Sequence, residues 1–201
     1  MKPLSTNLED YLKSSVAIDW QHPNIIDRAT EITTGLDGDI AKAKSLFEWV
    51  RDGVPHSADI DADVVTFTAS EVLEQGTGIC YAKSHLLAAM CRSVGIPAGL
   101  CYQTCANDPP ATGMVLHGLN GIYLASIDRW IRVDPRGNTG KIDAQFSLAQ
   151  ERLAFPPNPQ LGEYIFDEIW SEPVPEVVNL LTKFTSRREM WPLLPADING
   201  Y

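Results

Sequence analysis

The chain has 201 residues, 44% of them hydrophobic, and a formal net charge of −10 from 16 basic and 26 acidic side chains. That length suits one domain with a proper core, and the acidic balance argues against nonspecific binding to nucleic acid or an anionic membrane. The opening "MKPLSTNLEDYLKSSVAIDW" has no apolar core of signal-peptide length, and no apolar run is long enough to cross a bilayer, so a cytoplasmic location is expected. There is no P-loop, no dinucleotide-binding glycine pattern and no basic stripe.

In chain order, the first half reads as helices. "NIIDRATEITTG" carries Ile25, Ile26, Ala29 and Ile32 at helical spacing and stops at Gly35. "DGDIAKAKSLFEWVRDGVP" is stronger: Asp39 is the expected N-cap, Ile40, Ala43, Leu46, Phe47 and Val50 form a stripe, and Gly53 and Pro55 end it. "TASEVLEQGTG" offers a short helix over Ala69 to Glu74, capped by Thr68 or Ser70. Another helix opens after Gly76 to Gly78 and runs to about Val94, with Leu86, Leu87, Met90 and Val94 as its apolar side.

The period then changes to that of strands. "AGLCYQTC" from Ala98, "MVLHGLNGIYLA" and "RWIRVDP" each read as a strand, with Trp130, Arg132 and Asp134 on one face of the last. "NDPPATG" is a loop, and "SID" turns the chain between the last two strands, although Asn120-Gly121 is a competing hairpin signal. Beyond Gly140, "PEVVNLLTKF" suggests a late helix and the prolines from Pro156 onward a wrapping tail. The expected organisation is one α+β domain over residues 1–201: a core of about residues 40–135, helices packed on an antiparallel sheet, a helical N-terminal extension and a Pro-rich C-terminal segment.

Cys80 stands where a glycine-rich turn becomes a helix. The first helical turn has unpaired N–H groups and the positive end of the helix dipole, and both favour thiolate over thiol. The preceding glycines allow a tight turn and leave room for substrate beside the sulfur. Cys91, deep in the same helix, reads as packing, and the spacing of Cys101 and Cys105 is not that of a paired zinc site.

A nucleophilic thiol needs a base. His85 lies roughly 140° around the helix from Cys80, at about 100° per residue, so it packs or faces water instead. His22 and His56 precede the thiol in less regular stretches, and His117 lies on a strand beyond it. A hairpin turning at Ser126-Ile127 sets Leu119 opposite Asp134 and His117 diagonal to it, about 7–8 Å away between backbones. A carboxylate there can accept from one imidazole nitrogen and leave the other for Cys80. Two readings compete with this one. Asp134 can pair with Arg132 two residues away, and a register slip of one residue would part Asp134 from His117.

The ordered set "GTGICYAKSHLLAAMCRSVGIPA", His117 and "RWIRVDP" resembles the transglutaminase-like superfamily, over roughly Ile40 to Pro135. The resemblance implies a papain-like fold, with Cys80 as nucleophile, His117 as general base and acid, and Asp134 as the residue that orients the ring. The chain departs from the family where His117-Gly118-Leu119-Asn120-Gly121 replaces a histidine followed by Ala-Trp and an acid, and where Arg136 follows the Asp-Pro in place of threonine. An oxyanion-stabilising side chain is expected upstream of the cysteine; His56 and Gln75 are candidates, Tyr81 is a further substrate contact, and the Cys80 backbone N–H is a donor in any case.

These residues suit acyl transfer through a thioester on Cys80. Without calcium-loop patterns or any metal or other cofactor requirement, the expectation is a peptidase or amidase acting on a peptide or protein amide. The alternatives are a transglutaminase-type transfer to an amine and a noncatalytic binding domain that kept the fold. Oligomeric state is not legible.

Overall fold

A computed structural model describes residues 1–107, 112–140 and 142–199; most of the expected "NDPPATG" loop lies outside these. A short strand β1 (Lys2–Pro3) is followed by four helices, α1 (Pro23–Thr33), α2 (Gly38–Gly53), α3 (Ala69–Gln75) and α4 (Cys80–Ser93). The strands β2 (Ala98–Ala106), β3 (Met114–Leu124) and β4 (Arg129–Val133) come next. The tail supplies β5 (Tyr164–Ile165), β6 (Glu168–Ile169), α5 (Pro175–Lys183) and α6 (Arg187–Met190). The fold class is therefore α+β, with helices laid on an antiparallel sheet of order β4-β3-β2-β5.

Helix α4 is the centre of the core. It packs against α1, α2 and α3 and against β2 and β3, and every residue from Tyr81 to Arg92 is buried. That corrects the one-sided apolar stripe expected from Leu86, Leu87, Met90 and Val94. Lys83, His85 and Arg92, on the other faces, can be buried because each finds a backbone partner. Lys83 Nζ donates to the carbonyls of Val54 and Arg136. His85 Nδ1 donates to the Phe67 carbonyl at 2.8 Å. Arg92 donates to the carbonyls of Ala98, Lys13 and Ser171. Hydrophobic periodicity alone cannot register such partners, which lie far away in sequence.

Thr68 caps α3 through a reciprocal box with Glu71, as its hydroxyl and the spacing require. For α2 the N-cap is Asp37, not Asp39. Asp39 instead sits inside the first turn and accepts from the N–H groups of Ile40 and Ser126, tying α2 to the β3–β4 turn. The hairpin signal at Asn120-Gly121 is overruled. β3 runs straight through it, because Asn120 Nδ2 is spent on the carbonyls of Ser84 and Gly99, which fixes that residue inside the sheet–helix interface.

The chain turns at Ala125–Ile127, with Asp128 left-handed at φ 47°, and β4 returns with Asn120 across from Val133. Beyond Gly140 the tail wraps the sheet. β5 adds to the edge of β2, β6 pairs in parallel with β1, and the Leu116 N–H donates to the Pro195 carbonyl at 2.7 Å. Among the described residues, no helix is long and apolar enough to cross a membrane.

Candidate active site

Cys80 is the first residue of α4, with Ile79 at the N-cap. Two glycines bring the chain to it for different reasons. Gly76 closes α3 in the left-handed region at φ 65°, where a side chain would be strained. Gly78 is a close-packing position: a Cβ there would lie 3.0 Å from Thr66 Oγ1 and 3.2 Å from Ala82 Cβ. Its bareness thus serves packing and a parallel bridge to His56, and not only access to the sulfur.

His117 and Asp134 meet as the hairpin register requires. Continuing the β3–β4 pairing one step beyond Asn120 and Val133 sets Leu119 across from Asp134. His117 Nε2 donates to Asp134 Oδ2 at 3.0 Å, and Cys80 lines the same cleft near enough to raise the ring's affinity for its proton. Asp134 is fully buried, and its carboxylate also accepts from the N–H groups of Ala154 and Arg136, each at 3.0 Å. The competing pairing with Arg132 does not form, because that guanidinium goes to Glu151 and to the Phe166 carbonyl.

The electrostatics follow from this arrangement. Burial opposes a charged ring at His117, but Asp134 and Cys80 overcome it and hold the imidazole well above its ordinary 6.5. Burial likewise opposes the Asp134 charge, and His117 with the two backbone donors holds the carboxyl below its usual range. The Phe155 ring stands edge-on to His117 with centroids 5.0 Å apart and covers the pair.

Cys80 and His117 open into a cleft of about 750 Å³. Its walls include His56, Tyr81, Cys105 and Arg136 from the core and Phe155, Leu161, Glu163 and Trp191 from the tail. His56 is buried, and its Nδ1 accepts the Ala58 N–H at 3.2 Å, which leaves Nε2 as the protonated nitrogen. Burial, with Arg136 nearby, pushes His56 down to about 3, so the ring is neutral near pH 7.

Tyr81 lines the cleft, but its hydroxyl is bound to the Leu116 carbonyl, so it is a wall and offers no free donor. Gln75 is not brought to the site. It ends α3 with an exposed side chain, outside the cleft wall, because the turn at Gly76 intervenes before the chain reaches Cys80. His85 packs against Phe67, and Cys91 is sealed in the core, where burial pushes its thiol up to about 12.

Several site contacts had no signal in the sequence. Ala154, Phe155 and Trp191 come from the irregular tail, and Gln103 is one more polar residue in a strand. Gln103 sits directly across from His117 in the β2–β3 pairing. Such contacts are long-range, and no local periodicity announces them.

The sequence model of the family described as the transglutaminase-like superfamily matches residues 26–135, more than half of the chain. No curated protein matches it. Among solved structures, a protein from Cytophaga hutchinsonii provisionally described as a cysteine protease is 19% identical, with a TM-score of 0.53. The match covers 66% of this chain and 43% of that one. The periplasmic domain of TgpA from Pseudomonas aeruginosa is 16% identical, with a TM-score of 0.45, over 65% of this chain and 48% of that one. The chain spans less than half the length of either, and likeness at such identities speaks for the fold alone.

Proposed function

The chain belongs to the transglutaminase-like superfamily, and on that premise we propose that it is a cysteine-dependent acyl-transfer enzyme that hydrolyses peptide or peptide-like amides. One observation carries the reading: a buried His117–Asp134 pair, 3.0 Å apart, shares one cleft with a cysteine at a helix start that raises the ring's affinity for its proton.

Cys80 sulfur attacks the amide carbonyl as thiolate, with the His117 imidazolium beside it. The tetrahedral oxyanion takes hydrogen bonds from the Cys80 backbone N–H and from Nε2 of neutral His56, which shares the cleft. His117 gives its proton to the departing amine, and the C–N bond breaks to leave a thioester. A water, deprotonated by His117, attacks the thioester; the C–S bond breaks and the acid leaves. Asp134 holds the ring in the tautomer and orientation that both steps need. No step calls on a metal.

The reading is tested with a fluorescence-quenched peptide library and a glutamine peptide, each given to the protein and to its Cys80→Ala variant. Cleavage, or ammonia release without added amine, by the parent alone supports hydrolysis. Incorporation of a labelled primary amine at the expense of hydrolysis supports transfer to amines instead. A Cys80 that iodoacetamide labels no faster than an ordinary free thiol removes both and leaves a noncatalytic domain.

A further inference from the structure

Gln103 is buried at the centre of β2, and only one side of its amide is satisfied. Nε2 donates to the Phe155 carbonyl at 2.7 Å and to Cys105 Sγ at 3.1 Å, while Oε1 is buried with no partner. A core that kept this residue for packing alone would gain by losing the orphaned oxygen. The donor side holds a tail segment that touches the reactive pair. Ala154, next to the anchored carbonyl, gives its N–H to Asp134 Oδ2 at 3.0 Å, and the Phe155 ring covers His117.

We propose that Gln103 is a positioning residue: its amide latches the Ala154–Phe155 segment of the tail over the His117–Asp134 pair, and so keeps the Cys80 site assembled and dry. This rests on the acyl-transfer reading above, since it assigns Gln103 a task only if Cys80 and His117 work together. The latch acts in two ways. It holds a backbone donor on the carboxylate, which keeps Asp134 charged and aimed. It also keeps an aromatic ring over the imidazole, which excludes water and so strengthens the pull of Asp134 and Cys80 on the ring proton. With the latch gone the segment lifts, water reaches the pair, and the raised affinity of His117 for its proton relaxes toward that of an ordinary imidazole.

The test uses the full chain and three forms of it: the parent, Gln103→Met and Gln103→Glu. Methionine keeps the shape, removes the donor and also removes the orphaned oxygen, so the fold should survive with little change in melting temperature. Glutamate sets a carboxyl against the Phe155 carbonyl and should behave as badly as methionine or worse. Two measurements are made on each: the iodoacetamide rate at Cys80 against pH, and the ring-proton NMR titration of His117.

The expected result is a fall of between about ten-fold and a hundred-fold in labelling near neutral pH, together with a downward shift of the His117 titration. A purely structural role would lower the melting temperature and leave the His117 titration in place. A folded Gln103→Met protein with parental labelling and an unshifted His117 overturns the proposal, even if the parent thiol is fast. A parent thiol that is itself slow overturns the acyl-transfer reading, and the latch with it.

Discussion

Asp134 and His117 form a 3.0 Å charged hydrogen bond in which the carboxylate is fully buried and the ring meets only the cleft, and the carboxylate accepts from two further backbone donors. A buried pair of this kind persists only when each charge is compensated; removing one partner strands the other. Because Asp134 and Cys80 both hold the His117 proton against the burial that would expel it, the ring should stay protonated well above pH 6.5.

The first prediction follows. NMR of the His117 ring should show no titration through the ordinary imidazole range in the parent, and a fall toward that range in Asp134→Asn and in Cys80→Ala. The sign for stability is fixed by the same shift. A folded-state value above the unfolded one contributes stability that is complete below about pH 6.5 and lost as the pH rises through the folded value. His117→Ala should cut turnover by roughly 10²–10⁴-fold, the usual worth of a positioned general base, and Asp134→Asn should leave a residue of activity. A parental rate in His117→Ala, or a large loss in His85→Ala instead, would assign the base elsewhere.

The placement of this pair was legible from the sequence because it depends on counting. The turn at Ser126-Ile127 fixes the register, and the register puts His117 and Asp134 within side-chain reach. The helix start at Cys80 was legible for a similar reason, since glycines and a change of period mark it. What escaped was set by partners distant along the chain. Gln75 and His56 both precede the thiol, yet only His56 reaches the cleft, because a strand-like bridge to Gly78 pulls it in while Gly76 closes α3 at Gln75. Phe155 and Ala154 sit in a segment with no periodicity, held by contacts to Gln103 and Asp134. The same blindness to distant partners made α4 read as one-sided when it is buried all round.

The neutral state of His56 leads to a second prediction. If its Nε2–H serves the oxyanion, His56→Ala should lower kcat by about 10²–10³-fold with little change in KM, because the donor acts on the transition state and not on bound substrate. Its pH signature is a stability effect of opposite sign to that of His117. The folded value is depressed to about 3, so the unfolded chain takes up a proton as the pH falls below about 6.5 while the folded chain does not. The contribution is therefore complete above that pH and is lost progressively on the way down to about 3. A melting curve measured from pH 7 to pH 4 should fall more steeply for the parent than for His56→Gln. Parallel curves would mean that the ring is already charged or open to solvent.

Gly118, directly after His117, gives a third prediction that separates packing from chemistry. A Cβ on Gly118 would lie 2.7 Å from Tyr81 Cδ1, closer than real carbon contacts allow, and a tight 3.3 Å from Tyr81 Cα. Tyr81 cannot swing aside freely. It is buried in the first turn of α4, and its hydroxyl is tied to the Leu116 carbonyl one strand position before His117. The methyl of Gly118→Ala must therefore push the start of α4 away from β3, which is the seam that sets Cys80 against His117. Overpacking of this kind costs about 1–3 kcal/mol, so the melting temperature should drop by several degrees in a chain of this size. Labelling of Cys80 should slow as well, since the displaced element carries the thiol. Tyr81→Ala in the same chain removes the obstructing ring and should restore part of the labelling rate while leaving the protein less stable than the parent. A Gly118→Ala protein with parental melting temperature and labelling would show that the seam yields without moving the sulfur.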